Sequence, residues 1–335
     1  MSERSLPLIT FYLTDRCNSR CVTCDYWRHG RTDASLESVL RVLPELRTLR
    51  TRVALLSGGE PLMNPEWQAM AGALREAGLE VWLLTAGLAL AKHAAAAVAA
   101  CDSITVSLDG TNASTYRAIR GLDAFDKVCE GIRAVAGRGA TVNLRVTLQR
   151  SNYRELREFV RLALELGVAK VSFLAVDVGN AHAFARRGDA ELPLALAGDD
   201  LPLFAELIDE LERSHPHEFH SRFIAESPAK LRRIHQYFAA LNGLDSFPPV
   251  RCNAPEFSAV IAADGRVAPC FFIPGTGVHA QDGLASALDH PHMAELRASI
   301  RAGARPECAR CVCSMWREPS TFEAPAFPLA EVANA

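Results

Sequence analysis

Residues Leu8 to Cys24 read LITFYLTDRCNSRCVTC and combine an apolar run with a cysteine-rich loop. The first part, Leu8 to Leu13, is a short apolar run of the kind that forms a buried strand. The loop that follows holds three cysteines, Cys17, Cys21 and Cys24, within eight residues. A structural zinc site takes four protein ligands, and a fully ligated 4Fe-4S cluster takes four cysteines. Three neighbouring thiolates therefore leave one coordination position open to a small molecule.

Beyond this stretch, short apolar runs alternate with helical patterns as far as residue 176. Such regular β/α alternation predicts a parallel sheet with helices packed outside it. Six units are fewer than a complete barrel needs, so we expect residues 1–176 to form an α/β fold, a partial (β/α)6 TIM-type barrel. Ligands of such folds lie at the carboxyl ends of the strands. The strands after the first are predicted at 53–56, 81–84, 104–108, 143–148 and 170–174.

Two helix starts carry local signals. Asn64 followed by Pro65 predicts an N-cap and the first helical position. Asn152, with Glu155 three residues on, resembles a capping box. The helix behind this second signal has one apolar face, formed by Leu156, Phe159, Val160 and Ala163.

The rest of the chain divides into three segments. Residues 177–250 have helical patterns at 202–214 and 229–241 and no clear strand, which indicates a helical connector or insertion. Residues 251–317 open with two short β runs around Asp264-Gly265, a hairpin signal, and are expected to form a small α+β domain. Residues 318–335 are rich in proline and alanine and are expected to be a loose tail.

The cysteine spacing C-x3-C-x2-C resembles the signature of the radical S-adenosylmethionine (radical SAM) superfamily. Two further segments follow later strands in the order that this superfamily has. Ser57 to Pro61, which reads SGGEP, is similar to its GGE motif, and Ser107 to Gly110, which reads SLDG, is similar to its SxDG segment. Thr85 to Gly87 reads TAG where many members have TNG, so any contact made by that asparagine is lost here.

The resemblance implies a 4Fe-4S cluster whose open iron chelates the amino and carboxylate groups of S-adenosylmethionine. Arg145 on the fifth strand is a candidate partner of that carboxylate, because a guanidinium can bind it with two hydrogen bonds. A structural ion pair is the alternative for Arg145. By the same analogy the cluster ligands are Cys17, Cys21 and Cys24. The residues implied to bind S-adenosylmethionine are Gly58, Gly59, Glu60, Ser107, Asp109 and Arg145.

A second group of cysteines lies near the end of the sequence. Cys252 and Cys270 flank the predicted hairpin, and Cys308, Cys311 and Cys313 follow. This pattern resembles the twitch domain, a shortened relative of the SPASM domain that holds one auxiliary 4Fe-4S cluster. The resemblance makes the first four of these cysteines the ligands, with Cys313 as a spare or substitute, and leaves open whether Cys311 or Cys313 is the fourth. A structural zinc ribbon is the alternative.

Composition narrows the partners and the compartment. A net charge of −3 and a pI near 6.4 give no electrostatic reason to bind nucleic acid or an anionic membrane. No run approaches the ~18 apolar residues of a membrane span. Cysteines grouped for metal binding fit a reducing, cytoplasmic setting, and the isolated Cys101 and Cys129 are expected to be small buried hydrophobes.

The resemblance also implies a function. Enzymes of this superfamily cleave S-adenosylmethionine reductively to a 5'-deoxyadenosyl radical, which abstracts hydrogen from an unactivated carbon. A low-potential flavodoxin or ferredoxin is the expected electron donor. An auxiliary cluster with four protein ligands favours a net oxidation, so we expect dehydrogenation of a small biosynthetic intermediate.

Two other functions stay open. One is oxidative modification or crosslinking of a peptide side chain. The other, from a different class, is a non-catalytic zinc or iron–sulfur binding module. For the catalytic base, position alone suggests Tyr116, Asp177 and His182.

Overall fold

The computed structural model describes residues 4–180, 182–186, 193–275 and 277–322. Its centre is one sheet of eight strands. These are Leu8–Thr14 (β1), Val53–Gly58 (β2), Glu80–Thr85 (β3), Ser103–Ser107 (β4), Val142–Leu148 (β5), Lys170–Ala175 (β6), Ser258–Ile261 (β7) and Val267–Ala268 (β8). In space they follow the order β6-β5-β4-β3-β2-β1-β7-β8.

Strands β1 to β6 are each parallel to their neighbours, which confirms the partial barrel. All six lie within two residues of their predicted ends. The helices of this part are Tyr26–His29 (α1), Leu36–Thr48 (α2), Trp67–Glu76 (α3), Leu90–Ala100 (α4), Ala113–Arg120 (α5), Phe125–Ala136 (α6) and Leu156–Glu165 (α7). The later helices are Leu201–Ser214 (α8), Pro216–His220 (α9), Pro228–Leu241 (α10), Ala254–Phe257 (α11), Leu284–Asp289 (α12), Pro291–Arg301 (α13) and Pro306–Ala309 (α14).

Alternate residues of the strands belong to two apolar clusters, because successive side chains of a strand point to opposite faces. Ile9 and Ala54 pack with the outer helices, together with the expected buried Cys101 and Cys129. The neighbouring residues, Leu8, Val53 and Trp82, lie in a second cluster. Ala254, Phe257 and Met315 complete that second cluster, so the C-terminal segment closes the barrel interior at the amino ends of the strands.

The predicted hairpin is present, and it extends the barrel sheet. Strand β7 runs parallel to β1, with Leu8 opposite Ser258 and Phe11 opposite Ile261, and β8 returns antiparallel to β7. Because β1 leads into the first cysteine loop and β8 leads to Cys270, the pairing brings the two cysteine groups into one neighbourhood.

The predicted cap at Asn64 is wrong. Helix α3 begins at Trp67 with Glu66 as its N-cap residue, and Asn64 ends a single 3-10 turn, Pro61–Met63. The Asn64 amide instead donates to the carbonyl of Leu13 at 2.6 Å, and its Oδ1 accepts from the Glu66 amide at 2.8 Å. Asn64 is thus used to attach the SGGEP turn to the end of β1.

The capping box at Asn152 is also wrong. Asn152 Oδ1 accepts from the Gln149 amide at 2.8 Å, and its Nδ2 donates to the carbonyl of Asp109 at 3.0 Å. The Glu155 carboxylate accepts from the backbone amide of Thr111 at 2.9 Å. Both side chains therefore connect the ends of β4 and β5. The buried face of α7 is as predicted, with Leu156, Phe159, Val160 and Ala163 buried.

In the described part of 177–250, the regular elements are helices, as predicted. One short contact joins this segment to the sheet, because Ile224 forms a parallel bridge to Val171 of β6. The Ala225 amide donates to the Val171 carbonyl at 2.9 Å. Residues 223–226 therefore cover the outer edge of β6.

The first residues of the expected tail are ordered against the barrel. Pro319–Thr321 form a 3-10 turn, and the ring of Phe322 lies 5.5 Å from that of Phe257. The remaining part, 323–335, lies outside the described residues. Among the helices described here, none is both long enough and apolar enough to cross a membrane.

Replacing Phe257 with alanine is expected to lower the free energy of unfolding by about 3–5 kcal/mol, the usual cost of removing a buried aromatic ring. Urea unfolding followed by circular dichroism measures the loss. Leu244→Ala is the control, because Leu244 is 66% exposed. Equal losses in the two variants would contradict the closure of the barrel by Phe257.

Candidate active site

The first cysteine loop lies directly on the backbone of the SGGEP segment. The Gly59 amide donates to the Thr14 carbonyl and the Glu60 amide to the Arg16 carbonyl, each at 2.8 Å. A Cβ atom on Gly58 would lie 2.3 Å from the Thr14 oxygen, and one on Gly59 would lie 2.1 Å from the Arg16 oxygen. Gly58 also has a φ of 118°. Only glycine fits at these two positions.

The Glu60 side chain joins this segment to the end of β3. Its carboxylate accepts from Thr85 Oγ1 and from the Ala86 amide, both at 2.7 Å. Burial raises the pKa of Glu60, although these hydrogen bonds act in the opposite direction. The carboxylate thus supports the strand ends, and the cofactor contact that the resemblance implies for Gly58, Gly59 and Glu60 stays a prediction.

The end of helix α5 holds the cysteine loop from its other side. The Arg20 amide donates to the Arg120 carbonyl and the Val22 amide to the Ile119 carbonyl, both at 3.0 Å. The last carbonyls of a helix have no partner within the helix. Here the loop between Cys17 and Cys24 supplies those partners, so helix and loop fix each other.

The Arg120 guanidinium is buried beside the first cysteine group. One of its nitrogens lies 2.7 Å from the Asp109 carboxylate, and another donates to Cys21 Sγ at 3.5 Å. Burial acts to lower the pKa of Arg120, but the charges of Asp109 and Cys21 outweigh it and raise that pKa. A fixed positive charge therefore contacts one of the three cysteine sulfurs.

Asp109 of the SLDG segment holds this arginine in place through the ion pair. Its second oxygen accepts from the Thr147 amide at 2.7 Å, so both oxygens have protein partners. Burial raises the pKa of Asp109, and the Arg120 charge opposes that rise. The contact with ribose or methionine that the resemblance implies for this carboxylate stays a prediction. Ser107 ends β4, half-buried and opposite Arg145 of β5 in the sheet register.

The first group of thiols shares a mostly buried site. Burial raises the pKa of Cys17 and of Cys24 to about 12, and the neighbouring cysteines contribute to the rise. Metal ions bind thiolates and displace their protons, so thiols of this kind release protons when a metal site assembles. The Trp27 indole donates to the Cys21 carbonyl at 3.3 Å and covers the loop.

The second group lines one enclosed cavity of about 30 Å³, to which all five C-terminal cysteines contribute. The Phe272 amide donates to Cys270 Sγ and the Cys313 amide to Cys311 Sγ, each at 3.4 Å. Burial raises the pKa of Cys270 to about 12 and that of Cys308 to about 11. The five cysteines are Cys252, Cys270, Cys308, Cys311 and Cys313.

Tyr12 of β1 lies between the two groups. Its ring is stacked on Phe271 at a centroid distance of 6.2 Å, and it meets the edge of Tyr26 at 6.1 Å. Burial raises the pKa of Tyr12, and Cys270 and Cys24 are both close enough to add to the rise. One aromatic ring therefore contacts a residue next to or two positions after a cysteine of each group.

Residues 177–180 and 182–186 connect the two groups through hydrogen bonds. Arg186 donates to the carbonyl of Thr23 at 3.0 Å and pairs with Asp177 at 3.2 Å. Asn180 donates to the carbonyl of Phe272 at 2.9 Å. This segment therefore contacts the residue before Cys24 and a residue two positions after Cys270.

The three candidate bases lie in different surroundings. Tyr116 is fully buried in the core beside Phe125, at a centroid distance of 6.1 Å, which does not support a role at the barrel mouth. His182 is exposed. Asp177 is buried in the ion pair with Arg186, and burial raises its pKa.

Arg145 lies toward the second cysteine group. Burial raises the pKa of Glu226, a fully buried carboxyl, and that of Cys313. The positive charge of Arg145 opposes both rises. The contact of Arg145 with a cofactor carboxylate stays a prediction, as does the alternative of a structural ion pair.

Sequence reasoning missed Tyr12, Arg120 and Arg186. Tyr12 carries a usable signal, because it is the polar member of an apolar strand next to the cysteine loop. Arg120, followed by Gly121, reads only as the end of a helix. Arg186 lies in a segment without a pattern, and its contact with Thr23 spans 163 residues of sequence.

The donor sets of both groups fit an iron–sulfur cluster. Thiolates are the ligands of such clusters. Within the described ranges, no three His, Cys, Asp or Glu side chains are arranged to hold a metal ion. The sulfurs of a tetrahedral zinc site lie roughly 4 Å apart, and a four-iron cluster is bulkier. Thiols that lie near one another without surrounding a single ion are compatible with a cluster of several iron atoms.

Comparison with known families agrees with the fold and the site. Residues 11–163 match the radical SAM superfamily, and residues 252–312 match SPASM, an iron–sulfur cluster-binding domain. The chain therefore contains a radical SAM domain followed by a SPASM domain. It is a radical SAM enzyme, and its cofactors are S-adenosylmethionine, a 4Fe-4S cluster and an auxiliary iron–sulfur cluster.

Curated relatives have several different activities. The AdoMet-dependent heme synthase of Methanosarcina barkeri is 28% identical over 80% of this chain and 77% of its own length. The PqqA peptide cyclase of Ruegeria pomeroyi is 29% identical over 77% of this chain and 66% of its own. A probable GTP 3',8-cyclase of Saccharolobus solfataricus is 30% identical over 51% of this chain, which spans 57% of that relative.

Solved structures share the fold. SuiB of Streptococcus suis bound to S-adenosylmethionine superposes with a TM-score of 0.67 at 15% identity, over 93% of this chain and 73% of SuiB. The enzyme anSMEcpe bound to AdoMet and the Cp18Cys peptide gives a TM-score of 0.66 at 16% identity, over 92% of this chain and 89% of that one. At these identities the likeness concerns the fold alone.

Changing Gly59 to alanine is expected to displace the first cysteine loop, because the new Cβ would lie 2.1 Å from the Arg16 carbonyl oxygen. We expect the variant to lose about half of its iron after anaerobic reconstitution, the share of one of two clusters. Iron and sulfide analysis measures the loss. Gly72→Ala is the control, since a Cβ there meets nothing within 4 Å. Full iron content in Gly59→Ala would refute the close approach.

Changing Arg120 to methionine is expected to lower the reduction potential of the first cluster. A positive charge and a hydrogen bond at a ligand sulfur stabilise the reduced form. A shift on the order of 60 mV, a tenfold change for one electron, is expected in a redox titration followed by electron paramagnetic resonance. Arg117→Met is the control, because Arg117 lies on the same helix but is exposed. Equal potentials in both variants would exclude the role.

Proposed function

We propose that this chain carries out a net oxidation of a small molecule that begins with hydrogen abstraction from an unactivated carbon. Cys17, Cys21 and Cys24 are the proposed ligands of the cluster that binds S-adenosylmethionine. The proposed ligands of the auxiliary cluster are Cys252, Cys270, Cys308 and Cys311, with Cys313 beside them. When bound, these cofactors supply a 5'-deoxyadenosyl radical for the abstraction and an acceptor for one electron.

The position of Tyr12 is the observation that carries this proposal. Its ring contacts Tyr26, two residues after Cys24, and Phe271, the residue after Cys270, so both groups border the same part of the barrel. A substrate radical formed next to the first group would then lie close to the second. Oxidation of that radical removes one electron and one proton and leaves a new double bond or carbonyl.

The protein side chains here orient the reactants and exclude water. Tyr12, Tyr26 and Phe271 form an apolar wall between the two groups, which favours radical chemistry by keeping solvent away. Arg120 and Glu60 fix the loop and turn that carry the first site. Such fixed positioning is a large part of what an enzyme adds to cofactor chemistry.

A peptide substrate is the second candidate. It is favoured by relatives whose own substrates are peptides, since SuiB has been solved with its precursor peptide SuiA, anSMEcpe with the Cp18Cys peptide, and one curated relative is a PqqA peptide cyclase. The same abstraction and electron removal would then act on a side chain. In either case a low-potential flavodoxin or ferredoxin is the proposed electron donor.

Two cysteine variants test the proposed ligands. The reconstituted wild-type protein is expected to hold about eight irons per chain, as two 4Fe-4S clusters require. Cys24→Ala should abolish release of 5'-deoxyadenosine from S-adenosylmethionine in the presence of dithionite, measured by chromatography. Cys311→Ala should retain that release and lose about four irons. Cys101→Ala, a buried core cysteine, should behave as the wild type.

Two results would overturn these assignments. One is bound zinc in place of iron together with no nucleoside product, which would indicate a zinc module. The other is retained 5'-deoxyadenosine release in Cys24→Ala. Incubation with a small-molecule extract or with peptides, followed by mass spectrometry for a product two hydrogens lighter, separates the two substrate classes.

A further inference from the structure

A second cavity lies apart from the cysteine loop, beside α9, α10 and the C-terminal segment. Its volume is about 510 Å³, within the 300–1,000 Å³ range that is usual for small-molecule sites. Residues 224–226, part of the segment that covers the edge of β6, form one wall. Its apolar lining includes Phe219, Ile224 and Trp316.

Basic side chains dominate the polar lining of this cavity. Four of its lining residues are cationic, namely Arg222, Lys230, Arg233 and Arg251, against the single carboxyl of Glu226. Four like charges around one concavity repel each other. An anion bound in the cavity offsets the repulsion between these four side chains.

Two of these cations have no carboxylate partner in the described part of the chain. Arg222 makes no ion pair there, and Arg233 donates to the carbonyl of Pro249 at 2.7 Å. Arg251 stacks over Trp316 at 3.8 Å and pairs with Glu318 at 3.3 Å, in a contact open to solvent. A guanidinium held by stacking keeps its donors in a fixed plane.

The buried carboxyl does not neutralise the cavity. Glu226 accepts from the Phe173 amide at 2.7 Å. Burial raises the pKa of Glu226 to about 7, with Arg145 opposing the rise, so part of the population is uncharged near neutral pH. Arg251, which lines this cavity, directly precedes Cys252, which lines the cavity of the second cysteine group, so the two cavities are close neighbours.

We infer that this cavity binds an anionic small molecule that carries carboxylate or phosphate groups. Arg222, Arg233 and Arg251 offer planar forks that match both groups with paired hydrogen bonds. Phe219, Ile224 and Trp316 provide the apolar surface for the carbon part of the same molecule. None of these residues belongs to the cysteine loop, the SGGEP turn or the SLDG segment.

The binding of anions by the reconstituted protein tests this site. Isothermal titration calorimetry at low ionic strength with inorganic phosphate, pyrophosphate and citrate is expected to give submillimolar dissociation for at least one of the three. Arg222→Ala/Arg233→Ala should weaken that binding at least tenfold. Arg47→Ala/Arg133→Ala is the matched control, because it removes two exposed arginines from other helices, and its affinity should stay within twofold of the wild type.

Three results would overturn the inferred anion site. Binding that survives unchanged in Arg222→Ala/Arg233→Ala, or dissociation constants above 10 mM for all three probes in the wild type, overturns the inference. Weak small-anion binding together with tight, Arg222-dependent binding of an acidic flavodoxin would identify a protein-docking surface instead, which also overturns it. The single variant Arg222→Ala, at an exposed position, guards against a folding defect in the double variant.

The anion-binding test does not depend on the proposed oxidation. Both double variants should still release 5'-deoxyadenosine from S-adenosylmethionine without added substrate, because the cavity lies outside the first cysteine site. Loss of anion binding with retained release tests the cavity alone. Absence of release in every protein, including the wild type, would count against the proposed function and not against the anion site.

Discussion

The close approach of two backbones holds the first cysteine loop in place. The loop after β1 touches the turn after β2 so tightly that Gly58 and Gly59 have no room for a Cβ atom. Adjacent parallel strands end at the same edge of a sheet, and amide-to-carbonyl hydrogen bonds fix the two loops against each other. The three cysteines consequently occupy a fixed loop, and Glu60 extends the same connection to the end of β3.

Buried charge is the second element of the site. A charge taken out of water is tolerated only with a partner and with hydrogen bonds. Asp109 supplies the partner for Arg120, and Arg120 in turn reaches Cys21. The SLDG and cysteine segments are therefore connected through one arginine that lies in neither of them. The carboxylate of Asp109, which the SLDG motif predicts as a ligand-binding group, thus also holds Arg120 beside the cysteine loop.

The C-terminal segment completes the barrel as well as adding cysteines. Its strand β7 pairs with β1, the strand that also leads into the first cysteine loop, and Phe257 and Met315 fill the barrel interior. Strand β1, which carries Tyr12, thus leads into one cysteine group and pairs with the segment that carries the other. The proposed oxidation needs both iron–sulfur clusters near one substrate. The pairing of β7 with β1 brings the two cysteine groups together.

The six β/α units, the hairpin and both cysteine groups could be predicted from the sequence, because strand periodicity, turn residues and ligand spacing are local properties of the chain. Sequence prediction failed at Asn64 and Asn152, whose side chains bond to distant strand ends and do not cap the helices beside them. Tertiary structure alone decided the place of Tyr12, the partner of Asp109 and the contact of Arg186 with Thr23. It also gathered Arg222 and Arg251 around one cavity, since charges this far apart along the chain meet only when the packed elements bring them together.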